Sequence, residues 1–356
     1  MAVQGWTAYR FSNFIIPEIQ KQARRTAFPN QSNTMQRSEI FELLSIPHEE
    51  LRLQADLMRK KVLGDHVNVR ALIEFSNFCI CNCRYCGLRR ANTHLRRYCI
   101  SCEELMQAVD AAVSAGTDTI VLQSGENPAQ PAEQIAEYVR RIKTRHPHMA
   151  VTLSVGERSR EEYALWKAAG ADRFLIKHET ANPRLYADLH PGRSLRERLR
   201  ALEDLADLGY VVGSGFIVGV PGQSIEDIVE DILLVQDLKV GMCGVGPFVP
   251  QADTPFSGQQ RGSVPLTLRI MSILRLALPS VHLPATTALA TLDPVQGQCD
   301  GLRAGGNVLM PSFTPEAYRK DYRIYDNKKR VGINDAIAAI KAAGRTCSLT
   351  EEKEMS

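Results

Sequence analysis

The chain is short of long apolar runs, of charge of one sign and of paired cysteines, and each shortage removes a class of function. No window approaches the ~18 apolar residues of a membrane span, and the first residues lack the apolar stretch and small-residue cleavage site of a secretory leader. A net charge of +3, from 43 basic and 40 acidic residues, gives no global case for a nucleic-acid or membrane-surface partner. A cytoplasmic location is expected. Acids are nearly missing from residues 1–34, where Glu18 stands among Arg10, Lys21, Arg24 and Arg25; this is read as an N-terminal extension rather than an organellar presequence. Nine cysteines are an odd number for a disulfide framework, and five of them fall between Cys79 and Cys99, with Cys102 close behind. Such clustering favours metal binding. No Gly-x-Gly-x-x-Gly opens a helix after the first strand, which argues against a doubly wound sheet, and no Pro- or Ser-rich linker divides the chain.

What is present is an alternation of short β-branched runs with amphipathic stretches, beginning near residue 67. Strands are expected at Val67 to Phe75, Thr119 to Gln123, Ala150 to Val155, Arg173 to His178, Val211 to Val218, Met242 to Phe248, His282 to Thr287 and Asn307 to Pro311. Between them, SCEELMQAVDAAVSAG carries a capping box in Ser101 and Glu104 and a stop at Gly116. SREEYALWKAAG, SLRERLRALEDLADLG and SIEDIVEDILLVQDL repeat the pattern of a serine N-cap and acids in the first turn. Eight strands with crossover helices predict an α/β fold, a (β/α)8 TIM-like barrel. The expected organisation is an extension at 1–37 and one barrel domain at 38–346, followed by a tail at 347–356. Within the domain, helices at 38–64 precede a barrel at about 67–313 and a closing segment at 314–346, which includes a short C-terminal helix.

Directly after the first strand the chain reads FSNFCICNCRYCGLRR, which sets Cys79, Cys83 and Cys86 in a C-x3-C-x2-C spacing. Three thiolates on one short loop can ligate three irons of a 4Fe–4S cubane, since soft sulfur suits iron–sulfur chemistry. The fourth iron is left open for an amino-acid chelate such as the methionine end of S-adenosylmethionine (SAM). The loop lies where this fold builds its active sites, at the C-terminal ends of the strands. A structural zinc loop is the competing reading, with Cys99 and Cys102 as a second pair. Cys81, inside the loop, is an extra thiol or a shifted ligand. Tyr85 can pack on an adenine or cover the cluster from water.

At these residues the sequence resembles the radical SAM superfamily and, through its downstream strings, the HydE family of iron-only (FeFe) hydrogenase maturases. The resemblance runs from about Ser38 to Tyr325 and rests on the cysteine loop with IVLQSGENP, VTLSVGE, KHETANP, GSGFIVGVPGQ, GVGPFVPQADTP, LPATTALAT and NVLMPSFTPEAYRKDY. PylB and biotin synthase are more distant relatives. The resemblance implies that Gly125 and Glu126 hold the SAM amino group and that Ser154, Glu179 and Arg198 contact SAM. Ile217 would lie against the adenine; Arg198 read alone would be a solvated helix residue. A deeper cavity would be lined by Thr152, Lys177, Thr286, Thr287, Met310, Tyr322 and Tyr325, with Tyr325, Thr286 and Thr287 facing the reaction. Its implied substrate is a small organometallic iron complex carrying carbonyl, cyanide and cysteine.

The implied partners are the maturases HydF and HydG and an electron donor, with no nucleic acid and no membrane. Lys177 stands where arginine is usual in the family, and lysine offers a point charge rather than a bidentate fork. Some members carry a C-terminal cysteine triplet for a second cluster; here only Cys347 lies in that region, so one cluster is expected. The alternatives are a PylB-like amino-acid mutase, a HydE paralogue acting on another substrate, and an iron–sulfur carrier that does not turn over SAM.

Overall fold

A computed structural model describes residues 34–349, and from Gln36 onward these belong to one compact unit. The N-terminal extension up to residue 33 and the tail from residue 350 lie outside the described residues. The strands are β1 (Asn68–Ser76), β2 (Thr119–Ser124), β3 (Ala150–Ser154), β4 (Arg173–Leu175), β5 (Val211–Ser214), β6 (Ile217–Val218), β7 (Met242–Cys243), β8 (Gly246–Pro247) and β9 (Val308–Leu309). Seven of them form a parallel sheet in the order β7-β5-β4-β3-β2-β1-β9.

An eighth stave closes the ring although it is not a regular strand. His282 bridges Met242 and Pro284 bridges Val308, both in parallel sense, through hydrogen bonds such as Cys243 N–H to His282 O (2.9 Å) and Asn307 N–H to Leu283 O (2.9 Å). The expected strand His282 to Thr287 fails for two local reasons. Pro284 has no N–H to give a ladder, and Thr286 turns into the N-cap of a helix, Thr287–Leu292. The architecture is the expected TIM-like barrel.

The expected strands Val211 to Val218 and Met242 to Phe248 are each broken in two, and the breaks face each other. Gly215 has φ +148° and a Cβ there would lie 2.1 Å from the Gly244 carbonyl oxygen. Only glycine allows that approach. The outer halves, β6 and β8, pair with each other (Ile217↔Gly246, Val218↔Pro247) apart from the seven-stranded sheet, and Ile217, Gly246 and Pro247 line the cavity.

The helices obey their predicted caps. Ser101, Ser159, Ser194 and Ser224 each accept from the third backbone N–H of Cys102–Ser114, Arg160–Ala168, Leu195–Asp207 and Ile225–Asp237. Their apolar faces bury against the outside of the sheet, where Trp166 stacks on Phe174 and lies under the Arg158 guanidinium. The two N-terminal helices, Arg37–Ser45 and His48–Leu63, are tied to the helix Val264–Ala277 by Arg269, which donates to Leu44 O (3.1 Å) and Ile46 O (2.5 Å). Among the described residues no helix is long and apolar enough to cross a membrane.

Candidate functional site

The barrel opens at the C-terminal ends of its strands into a cavity of about 350 Å³. The cysteine loop forms one wall and is held there by the backbone. Ile80 N–H reaches Glu126 O (2.8 Å), Arg84 N–H reaches Leu189 O (3.0 Å), and Gly87 N–H reaches Ile324 O (3.1 Å). Arg97 closes the loop by donating to the carbonyls of Asn77 (2.7 Å), Leu88 (2.8 Å) and Arg89 (2.8 Å). Thiols on a loop so fixed are presented without ordering the chain first.

Cys79 and Cys86 face the cavity. Cys83 is turned to His190, whose Nδ1 is 3.2 Å from its Sγ. Cys81 lies within hydrogen-bond reach of both Cys79 and Cys83, pushing the former's thiol up while its own is pulled down to about 2 by those same partners. Its other neighbours are Arg193, 3.5 Å away, and the Glu126 carboxyl group.

Among the described residues no three His, Cys, Asp or Glu side chains converge as ligands of a single metal ion. Cys79 and Cys86 stand on the wall at one end of the cavity, with Cys81 and Cys83 beside them on the same loop. A cubane is a body several atoms across and takes its ligands that way; a structural zinc does not. Cys99 is exposed and its Sγ rests 3.8 Å from Ile100 O, while Cys102 opens a helix. The donor set fits an iron–sulfur cluster.

Around the same cavity lie Tyr85, Gly125, Ser154, Lys177, Glu179, Ile217, Thr286, Thr287, Met310, Tyr322 and Tyr325, so most of the residues singled out in the sequence converge. Glu179 adopts φ 64° between backbone bonds to Gly215 O (3.0 Å) and from Ile217 N–H (3.1 Å). Burial would raise its carboxyl, but Lys177, with Nζ 3.0 Å from Oε2, together with His190 and Arg198 holds it below the usual carboxylate range. Thr286 turns a buried hydroxyl with no partner among the described residues toward the cavity. An orphaned buried hydroxyl on a cavity wall is a place for a polar ligand atom. Burial pushes the phenols of Tyr322 and Tyr325 well up, so both are hydrogen-bond donors at neutral pH.

Four predicted residues stand back from the wall. Thr152 lines a void of about 30 Å³ lower in the barrel, beside Arg70, Met242 and His282. Glu126 points sideways, pairing with Arg193 and accepting from Glu157 N–H (2.9 Å); burial and the neighbouring Cys81 push its carboxyl up to about 7. Arg198 is buried in an ion pair with Glu157 and donates to Lys177 O (2.5 Å). Cys83 is the fourth. Glu126, Arg193, Glu157 and Arg198 thus form one chain of charges that ends on the Lys177 carbonyl.

The sequence reading missed Arg193 and Glu157 in that network, His190 beside Cys83, and also Glu74 and Lys328, an ion pair on the cavity wall. Glu74 had a signal: a carboxylate inside the apolar strand NVRALIEFS. Lys328 had none.

Gly125 shows how closely the second strand supports the loop. A Cβ there would lie 2.3 Å from Phe78 O and 2.7 Å from Cys79 Cβ, both on the cysteine loop. Gly125→Ala is expected to displace Cys79 at an overpacking cost of ~1–3 kcal/mol. The check is iron content after reconstitution, which should fall sharply while circular dichroism stays native; a full iron complement in the variant would contradict it.

Comparison with known proteins agrees with this geometry. The profile of the Radical SAM superfamily matches residues 73–235. The "[FeFe] hydrogenase maturase subunit HydE" of Thermotoga maritima is 47% identical over 79% of this chain and 80% of its own length. The 3-methylornithine synthase of Methanosarcina acetivorans is 27% identical over 84% of this chain and 85% of its own. Among solved structures, methylornithine synthase (PylB) superposes with a TM-score of 0.79 at 24% identity over 92% of this chain and 97% of its own. The maturase HydG from Carboxydothermus hydrogenoformans superposes at 0.77 and 20% identity, over 95% of this chain and 80% of its own. These last two share the fold.

Proposed function

Because the chain belongs to the HydE family of radical SAM enzymes, we propose that it holds one 4Fe–4S cluster and SAM at the barrel mouth and uses them in assembling the dinuclear iron cofactor of FeFe hydrogenase. Cys79, Cys83 and Cys86 are the cluster ligands in this reading. When bound and reduced, the pair supplies a 5′-deoxyadenosyl radical by one-electron cleavage of SAM, and the difficult chemistry belongs to the cofactor.

The protein's part is to bind, orient and keep water out. Gly125 gives its backbone to the SAM methionine end. Glu179, kept ionised by Lys177, takes a cationic or hydroxyl group. Ser154, Ile217 and Tyr85 line the remaining SAM wall. Glu126 and Arg198 act one step behind, by fixing Arg193, Glu157 and the Lys177 carbonyl. The lower cavity, with Thr286, Thr287, Met310, Tyr322 and Tyr325, receives the substrate, a small organometallic iron complex; Thr152 closes the floor beneath. Aromatic and aliphatic walls there exclude water from a reactive primary radical.

The single observation that carries the proposal is that two of the three loop thiols, Cys79 and Cys86, share one cavity with Gly125 and an orphaned Thr286 hydroxyl. The partners are other hydrogenase maturases, HydF and HydG, and an electron donor, and the place of action is the cytoplasm. The test is anaerobic reconstitution, reduction with dithionite, addition of SAM and chromatographic assay for 5′-deoxyadenosine. Reductant-dependent product is expected. An intact, EPR-active cluster that yields none would overturn the enzyme reading and leave an iron–sulfur carrier.

A further inference from the structure

We infer that His190 is a positioning residue for the cluster loop: with Tyr85 fixing its tautomer, its Nδ1–H donates to the sulfur of Cys83 and raises the reduction potential of the cluster held there. This rests on the reading of Cys83 as a cluster ligand.

His190 is the C-cap of the helix Pro183–Leu189, where its backbone N–H closes on Tyr186 O (2.9 Å). That position carries the imidazole under the cysteine loop, 4% exposed. The Tyr186 ring lies against it at 4.5 Å and 31°, and the Tyr85 ring meets it edge-on at 5.5 Å. Its two nitrogens face two different partners, Nδ1 to Cys83 Sγ at 3.2 Å and Nε2 to the Tyr85 hydroxyl at 3.5 Å.

A neutral imidazole has one donor and one acceptor. A thiolate that ligates iron has no proton to give, so the Cys83 sulfur 3.2 Å from Nδ1 can only accept, and the Nε2 left without a proton faces the Tyr85 hydroxyl. The phenol is therefore the donor to Nε2, and Nδ1 carries the proton that points at sulfur. The order is Tyr85 O–H to His190 Nε2, and His190 Nδ1–H to Cys83 Sγ.

Hydrogen bonds to the ligand sulfurs are one of the levers that set the potential of an iron–sulfur centre. One-electron reduction adds a negative charge, shared with the thiolate ligands. A donor aimed at one of them stabilises that state more than the oxidised one, so the couple moves up. No atom is transferred; the electron comes from the external reductant. The loop does not depend on this contact for its place, since Arg84 N–H is bonded to Leu189 O and the Arg84 side chain is paired with Asp188.

The test uses the reconstituted full chain without SAM. The midpoint is read by EPR-monitored redox titration for wild type, His190→Leu, His190→Asn and Tyr85→Phe. Leucine should shift the reduced-to-oxidised ratio at fixed potential about tenfold toward oxidised, which is about 59 mV for a one-electron couple. Asparagine, whose amide nitrogen can take the place of Nδ1, should stay near wild type. Tyr85→Phe should move the same way as leucine, but less. Unchanged midpoints in the leucine and phenylalanine variants would overturn the inference, as would leucine and asparagine shifting equally.

Should the leucine variant fail to hold iron, wild type decides. Labelled with 15N-histidine, its reduced cluster should show a nitrogen coupling in pulsed EPR, and absence of that coupling overturns the inference. A wild-type chain that binds no cluster at all would instead sink the function proposed above, and this inference with it.

Discussion

Cys83→Ala, Cys79→Ala and Cys86→Ala are each expected to reduce 5′-deoxyadenosine formation to the level of unreconstituted protein, whereas Cys81→Ala should keep most of the wild-type rate. The four thiols sit on one loop, and proximity alone does not choose three of them. Cys79 and Cys86 stand on the cavity wall and Cys83 is fixed by His190. Cys81 is absent from the wall and has a guanidinium at 3.5 Å as its outward neighbour. A cluster that must bind SAM needs an iron open to the cavity, so its ligands have to approach from the loop side and leave the barrel side free. Iron and sulfide content should fall with the rate in the first three variants and stay full in the fourth. A dead Cys81→Ala beside a living Cys79→Ala would move the ligand set by two residues and undo the assignment.

The fold was legible where one residue type does one job. Ser101, Ser159, Ser194 and Ser224 stop the chain before a helix by taking its free N–H groups, and they do so in the structure as in the sequence. Legibility failed where two distant segments decide together. Gly215 and Gly244 look like ordinary strand glycines until the strands are set side by side, when they prove to break both strands at the same height. LPATTA reads as strand from its β-branched pair, yet Pro284 and the capping conformation of Thr286 make it a bridge followed by a helix.

The site divides in the same way. The cysteines, Gly125 and Glu179 sit in strings whose spacing carries meaning. His190 and Arg193 sit in LHPGRS, a connection between two helices, and become important only because the helix Pro183–Leu189 delivers them to a loop about a hundred residues earlier. Glu126 and Arg198 were expected to touch the cofactor. The structure ties them to Arg193 and Glu157, a pairing visible only once four segments meet.

The last prediction concerns the pair that no string announced. Glu74, on β1 and 2% exposed, gives its N–H to Thr314 Oγ1 (2.8 Å) and receives that hydroxyl at Oε2 (3.2 Å); its Oε1 is paired with Lys328, whose Nζ lies 4.9 Å over the Tyr322 ring. The pair joins the first strand to the segment that closes the barrel, and both residues line the cavity and an adjoining pocket of about 300 Å³. Lys328→Met leaves the carboxylate buried without a counter-charge, and breaking a buried pair from one side costs about 3–5 kcal/mol. Glu74→Gln should cost less, because the amide can still bond Thr314 while the lysine, 18% exposed, can reach water. The double variant should recover much of the loss, since neither charge then remains unpaired. Urea unfolding of the four proteins reads this as midpoints at constant slope. The functional consequence follows from position: a loosened closing segment admits water, so Lys328→Met should go on cleaving SAM while losing turnover of the second substrate. A Lys328→Met protein within about 1 kcal/mol of wild type, the range of an exposed pair, would show that the closing segment is held by its apolar contacts and Thr314, and not by this ion pair.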